Sequence, residues 1–129
     1  MVNRAKDWLE QARRDLDHGR YGASGGYHER ACFSAQLSAE KALKALYQHL
    51  RGQAWGHSVK RLVEGLAAQT DVDASLLDCG RNLDRYYIPT RYPNGFDEGK
   101  PGDYYSESDS EQAISCADSI IRFCERRIS

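Results

Sequence analysis

Apolar residues recur at helical spacing through most of this chain, and five helices can be drawn from the pattern. In the first, about residues 3–18, Ala5, Trp8, Leu9, Ala12 and Leu16 share one face by the i, i+3, i+4 rule. Asn3 stands where an N-cap is wanted. The four glycines between positions 19 and 26 read as the end of that helix. The second, about residues 27–51, is the longest, with Ala31, Ala35, Ala39, Ala42, Leu43, Leu46 and Leu50 as its stripe. Its alanine-rich first half lets a neighbouring helix approach closely, and Gly52 fits the C′ position. Phe33 and Leu37 lie off the stripe, on the row that continues through Glu40 and Lys44. A second apolar patch marks a helix that is central in a bundle or half of a dimer seam.

The third helix, about residues 58–69, turns Val59, Leu62, Val63 and Leu66 inward. The fourth, about residues 74–87, places Leu76, Leu83 and Tyr87 on one face with Gly80 at a close contact and Asp73 or Ser75 as cap. The fifth, about residues 108–128, carries the stripe Ala113, Ile114, Ala117, Ile120, Ile121, Cys124 and Ile128, and Ser108 with Glu111 makes a capping box. There is no strand-like alternation and no internal repeat. The expectation is a single all-α domain over residues 1–129, an up-and-down helical bundle of about five helices.

One long break interrupts the helices. Residues 86–105 hold all three prolines and five of the eight tyrosines. Loops of that length inside a compact domain are more often functional than ornamental. Arg85 and Arg91 bracket Tyr86, Tyr87 and Tyr92. Guanidinium groups fork onto phosphate oxygens and tyrosines stack on bases, so the pairing suits a nucleotide or a short RNA segment. Lys44, with Lys41 at i−3, is placed to complete a phosphate site. The bland account is a solvated helix face, with Arg81 and Arg85 paired to Asp78 and Asp84 and Tyr87 in the core.

Charge and cysteine content narrow the classes. A net charge of −1 excludes a global basic excess of the kind that coats DNA. None of the four cysteines forms a Cys-x-x-Cys pair, and no run of apolar residues reaches membrane-spanning length. The reading is a cytoplasmic protein with small buried or half-buried thiols, no membrane, no metal and no cofactor. No histidine follows His57. The loop itself therefore lacks the side chain best suited to moving protons near neutral pH. Asp97 could serve as a base only with a raised pKa, and His57, just before a helix, reads as structural.

Three segments resemble HEPN-domain proteins in the right order. They are Cys32 to Leu46 as the signature helix, Gly56-His57-Ser58 with Leu62 as the opening of the next helix, and Tyr86 to Asn94 as the Tyr-Pro loop of small prokaryotic members. The resemblance runs from Ala5 to about Phe123. It implies a compact helical bundle, a homodimer, and pairing with a minimal nucleotidyltransferase in a toxin–antitoxin-like system. In related pairs the partner modifies a tyrosine near this loop, which makes Tyr86, Tyr87 and Tyr92 the candidate acceptors. Many members are metal-independent ribonucleases with an arginine followed, after four to six residues, by a histidine. Arg81, Arg85 and Arg91 have no such histidine. The expected function is a non-catalytic nucleotide- or RNA-binding module whose site is Arg85, Tyr86, Arg91, Tyr92, Lys44 and Asp97. The alternatives are a ribonuclease in which Asp97, His57 or His28 replaces the absent histidine, and a pure assembly subunit.

Overall fold

The computed structural model describes residues 3–128. Its α-helices are α1 (Ala5–Ser24), α2 (His28–His49), α3 (Val59–Leu66), α4 (Ala74–Asp84) and α5 (Glu107–Arg127), with short 3-10 turns at Pro93–Gly95 and Pro101–Asp103. No strand occurs among the described residues. The bundle is built around α2, which packs against every other helix and most extensively against α1 and α5. Its apolar stripe is buried against Leu9, Leu16, Leu62, Leu66, Leu83, Ile120 and Ile121.

The first helix is longer than its glycines suggest, and the reason is packing. A Cβ on Gly19 would lie 3.2 Å from Ser34 Cβ and 3.4 Å from the Ala31 carbonyl oxygen. The missing side chain lets α1 seat directly on α2, so Gly19 serves contact rather than termination. The break comes at Gly26, whose φ of 86° closes the helix in a left-handed turn. Tyr27 N–H donates to the Gly22 carbonyl at 2.8 Å and Gly26 N–H to Ala23 at 3.1 Å. The end of α2 repeats this geometry with a different residue. Gly52 N–H donates to Tyr47 and Arg51 N–H to Gln48, but Arg51, not Gly52, takes the left-handed position, at φ 60°. Gly52 is thus one residue past its expected place.

Other boundaries shift for local reasons. α3 stops at Leu66 and α4 at Asp84, both short of the expected ends. The cap of α5 is Ser106 with Asp109 rather than Ser108 with Glu111. Asp73 caps α4, accepting from Leu76 N–H at 3.1 Å. Tyr86, only 4% exposed, takes the core position expected for Tyr87, which is half-buried.

Two contacts fix α3 against α4. A Cβ on Gly80 would fall 2.7 Å from Lys60 Cα, so only glycine permits the crossing. Asp84, the last residue of α4, caps α3 across 25 residues. It accepts from Val59 N–H at 2.6 Å, Ser58 Oγ–H at 2.7 Å and Lys60 N–H at 3.3 Å. A carboxylate there satisfies orphan donors and complements the helix dipole. The same cap sets His57, the residue before the Ser58 N-cap, over the chain leaving α4.

Candidate functional site: a histidine–carboxylate pair beside a caged arginine

Three segments meet where α4 ends: the middle of α2, the connection before α3, and residues 85–92. From α2 comes a polar row at i, i+4, i+8. Gln36 Nε2–H donates to Glu40 Oε1 at 3.2 Å, and Lys44 Nζ–H to Glu40 Oε2 at 3.1 Å. A solvated helix face is the expectation for Glu40, Lys41 and Lys44, and it fails at Glu40, which is 6% exposed beside a fully covered Gln36. Burying a carboxylate is tolerable only when donors surround it. The third donor is His57, whose Nδ1 lies 3.1 and 3.2 Å from the two Glu40 oxygens. An ionised carboxylate only accepts, so in this contact the hydrogen sits on Nδ1. Gln36 Nε2–H also donates to the His57 carbonyl at 3.0 Å, pinning ring and backbone together. Gln36 Oε1 has no partner among the described residues.

His57 stacks on Tyr87, with ring centroids 4.7 Å apart and planes within 18°. Tyr87 is in turn a wall of a cage for Arg91. The Arg91 guanidinium carbon is 4.6 Å from the Tyr87 centroid, 4.7 Å from Phe33 and 5.2 Å from Tyr92. Such face contacts hold a guanidinium by about 0.5–1 kcal/mol each at exposed sites. Its Nε–H donates to the Tyr87 carbonyl at 2.8 Å. The segment is anchored beneath by Thr90, buried, whose hydroxyl donates to the Tyr86 carbonyl at 2.5 Å.

The residues named from sequence are distributed unevenly over this geometry. Arg91, Tyr87, Tyr92 and Lys44 belong to the cluster. Arg85 is exposed, 5.8 Å from the Tyr86 ring, and Asp84 does not pair with it because Asp84 caps α3. Arg81 does pair with Asp78, at 2.6 Å. Tyr86 turns inward against Tyr105, and burial pushes its hydroxyl above the ordinary tyrosine value. Asp97 is exposed and makes no ion pair among the described residues. Elsewhere in the loop Phe96 stacks on Tyr104 at 4.1 Å and meets Tyr105 edge-on at 6.3 Å, and the Pro101–Asp103 turn packs on α2.

Of the two histidines considered as substitutes, His28 bonds Ser110 Oγ at 2.9 Å at the start of α5, and His57 alone joins the arginine and tyrosines. Sequence reasoning missed the Glu40–His57 pair and the cage role of Phe33. The one available signal was the Gln36–Glu40–Lys44 row inside an otherwise alanine-rich helix. No group of three or more His, Cys, Asp or Glu among the described residues is placed to hold a metal ion. No described helix is long and apolar enough to cross a membrane. All four cysteines are free, and burial pushes Cys32 and Cys124 up to about 12.

Residues 5–127 match the family model described as HEPN domain. Three solved structures are similar over nearly their whole length. TT1696 from Thermus thermophilus is 41% identical, with 98% of this chain and 99% of that one covered and a TM-score of 0.94. An archaeal HEPN homologue, ST0689, is 41% identical, with 99% and 100% covered and a TM-score of 0.84. A HEPN domain protein from Thermotoga maritima is 34% identical, with 93% and 95% covered and a TM-score of 0.77. No curated protein matches the chain.

Proposed function

The chain belongs to the HEPN domain family, and from that premise we propose that it is a nucleotide- or RNA-binding module, without catalysis of its own, that works beside a minimal nucleotidyltransferase in a toxin–antitoxin-like pair. The observation that carries the binding is the state of Arg91. Its Nε is committed to the Tyr87 carbonyl and its plane is held between aromatic faces, so the two terminal nitrogens are left as a fork. That fork suits two phosphate oxygens. Tyr92, 52% exposed, offers a stacking face next to it. His57 adds a donor from Nε2 when protonated. Lys44 is tied to Glu40 and contributes charge more than contact.

The partner and the homodimer come from the family resemblance. Phe33, half of the patch that suggests a dimer seam, is engaged within the chain by Tyr87 and Arg91. As acceptors for a modifying partner, Tyr87 and Tyr92 are more accessible than Tyr86, whose ring is inside. Calorimetry with ATP, GTP and a short RNA tests the reading. Binding that Arg91→Ala abolishes supports it, and silence from all three at millimolar ligand removes it.

One observation favours a second reading, a metal-independent ribonuclease. A histidine held through Nδ1 by a buried carboxylate, stacked on the same Tyr87 whose ring contacts Arg91, is fit to take a proton from a 2′-hydroxyl. That oxygen would attack phosphorus to form a 2′,3′-cyclic phosphate as the P–O5′ bond breaks, the leaving 5′-oxygen taking its proton from solvent water, while Arg91 offsets the charge on the phosphoryl oxygens. Cleavage of labelled RNA, lost in both His57→Ala and Arg91→Ala, would select this reading over pure binding.

A further inference from the structure

Away from the end that builds the site, α4 packs along α5, and the two helices run in opposite directions. Ser75 and Leu76, at the start of α4, line one cavity with Ser119, Arg122 and Phe123 in the far half of α5. Beyond the other end of α4, Tyr86 meets Tyr105, which stands just before α5, at 5.8 Å between ring centroids. Between those two points the register sets Cys79 on α4 opposite Cys116 on α5. Cys79 shares its face of α4 with the core residues Leu76 and Leu83, and Cys116 shares its face of α5 with Ala113 and Ile120. The small side chains of Ala113 and Ala117, both fully buried, bracket Cys116 and let the helices come close.

Both thiols are free and half-buried. They also act on one another directly. After burial, a side-chain hydrogen bond with Cys79 is the next cause that pushes the Cys116 thiol up to about 12, and the Asp78 carboxylate adds to it. The other two cysteines differ on both counts. Cys32 and Cys124 are fully covered. The charged groups that act on them are Asp109 and Glu29 for the first and Arg127 and Glu125 for the second, with no thiol among them.

We propose that Cys79 and Cys116 form a reversible disulfide that clasps α4 to α5, made by exchange with a low-molecular-weight disulfide such as oxidised glutathione. The Cys79 thiolate attacks one sulfur of the glutathione disulfide, so that a mixed disulfide forms and one glutathione leaves. The Cys116 sulfur then attacks the Cys79 sulfur, the bond to glutathione breaks, and the second glutathione leaves. Each departing glutathione takes up the proton that the attacking cysteine gives up. Two protein thiols are oxidised and one glutathione disulfide is reduced to two thiols. Cys79 is the point of entry because Cys116 is held as the thiol, and the thiolate is the nucleophile. The bond closes a ring of chain that contains the whole segment between α4 and α5, with Arg91 and its tyrosines inside it. Closing a ring of that length restricts the unfolded chain, so oxidation braces the fold around that segment whatever the site binds.

The full chain is incubated with oxidised glutathione in the absence of denaturant. Its free thiols are counted, its peptides are mapped by mass spectrometry and its urea midpoint is measured. The expected result is loss of two of the four thiols, a linked Cys79–Cys116 peptide pair, and a midpoint raised by about 1 M or more and returned to its starting value by dithiothreitol. Cys79→Ser and Cys116→Ser are conservative changes at half-buried positions. Both should unfold near the reduced parent and show no rise on oxidation. Cys116→Ser should retain one glutathione on Cys79, and Cys79→Ser should retain far less. Four thiols still free, glutathione adducts without an internal bond, a bond that joins other cysteines or two chains, or a bond that leaves the midpoint where it was would each overturn the clasp. Equal retention of glutathione by the two variants would overturn Cys79 as the point of entry.

Discussion

The Glu40 carboxylate accepts from His57 Nδ1 at 3.1 Å across 17 residues of chain, and this pair turns a row on α2 into the floor of a site. Glu40 is buried and also holds Gln36 and Lys44. Glu40→Gln replaces an acceptor by an amide whose NH2 must face another donor. It should cost about 1–3 kcal/mol in urea unfolding. His57→Ala should cost less in the Glu40→Gln background than alone, with a coupling of about 0.5–1.5 kcal/mol. Additive effects would mean that the contact contributes nothing to the folded state.

Gly80→Ala tests how α3 is held. The new methyl would meet Lys60 backbone at 2.7 Å, and backbone cannot step aside as a flexible side chain can. Overpacking of this kind costs about 1–3 kcal/mol. Because α3 carries the Asp84-capped turn that begins at His57, the same change should part His57 from Tyr87. A lower urea midpoint with unaltered ligand affinity would show that the two effects are separable.

Arg51 pays the steric cost of a left-handed backbone at φ 60°, about 1–2 kcal/mol for an L-residue. Arg51→Gly should remove it while keeping the Gly52 and Arg51 N–H bonds to Tyr47 and Gln48. Part of the gain is offset by the freer unfolded chain. The expected net effect is a rise of about 0.5–1 kcal/mol in unfolding free energy.

The helices were legible because burial imposes a period. Leu43, Leu46, Val59, Leu62, Leu83 and Ile120 sit where spacing puts them. Positions set by tertiary contact were not. Gly19 reads as a breaker until Ser34 is seen against it, and Tyr86 and Tyr87 exchange burial because α4 unwinds at Asp84. Arg91 and its tyrosines stand out from the sequence because they are neighbours in it. Glu40 and His57 are brought together by long-range contacts, the Asp84 cap of α3 and the Gln36 bond to the His57 carbonyl, that no local spacing encodes.

Alkaline titration gives a signed test. Burial pushes Cys32, Cys116 and Cys124 up to about 12 and raises Tyr47, Tyr86 and Tyr105. Unfolded thiols and phenols release protons near about 8.5 and 10. Above those values the folded chain binds more protons than the unfolded one, so stability falls as pH rises. Their contribution is complete below about pH 8.5 and disappears progressively toward pH 12. The urea midpoint should decline steadily over that window, and a flat midpoint to about pH 11 would contradict the burial of these groups.

Arg91→Lys separates charge from shape. Lysine keeps the positive charge but has no plane to lie between Phe33 and Tyr87 and no fork for two oxygens. It also loses the Nε–H bond that ties the side chain to the Tyr87 carbonyl, so the ammonium would be free to follow solvent. If the site recognises phosphate through geometry, Arg91→Lys should weaken nucleotide binding about tenfold or more, approaching Arg91→Ala. The salt dependence should stay close to that of the parent, because the number of charges is unchanged. Affinity retained in Arg91→Lys and lost only in Arg91→Ala would reduce the cage to a point charge, and the aromatic walls would then owe their place to packing alone.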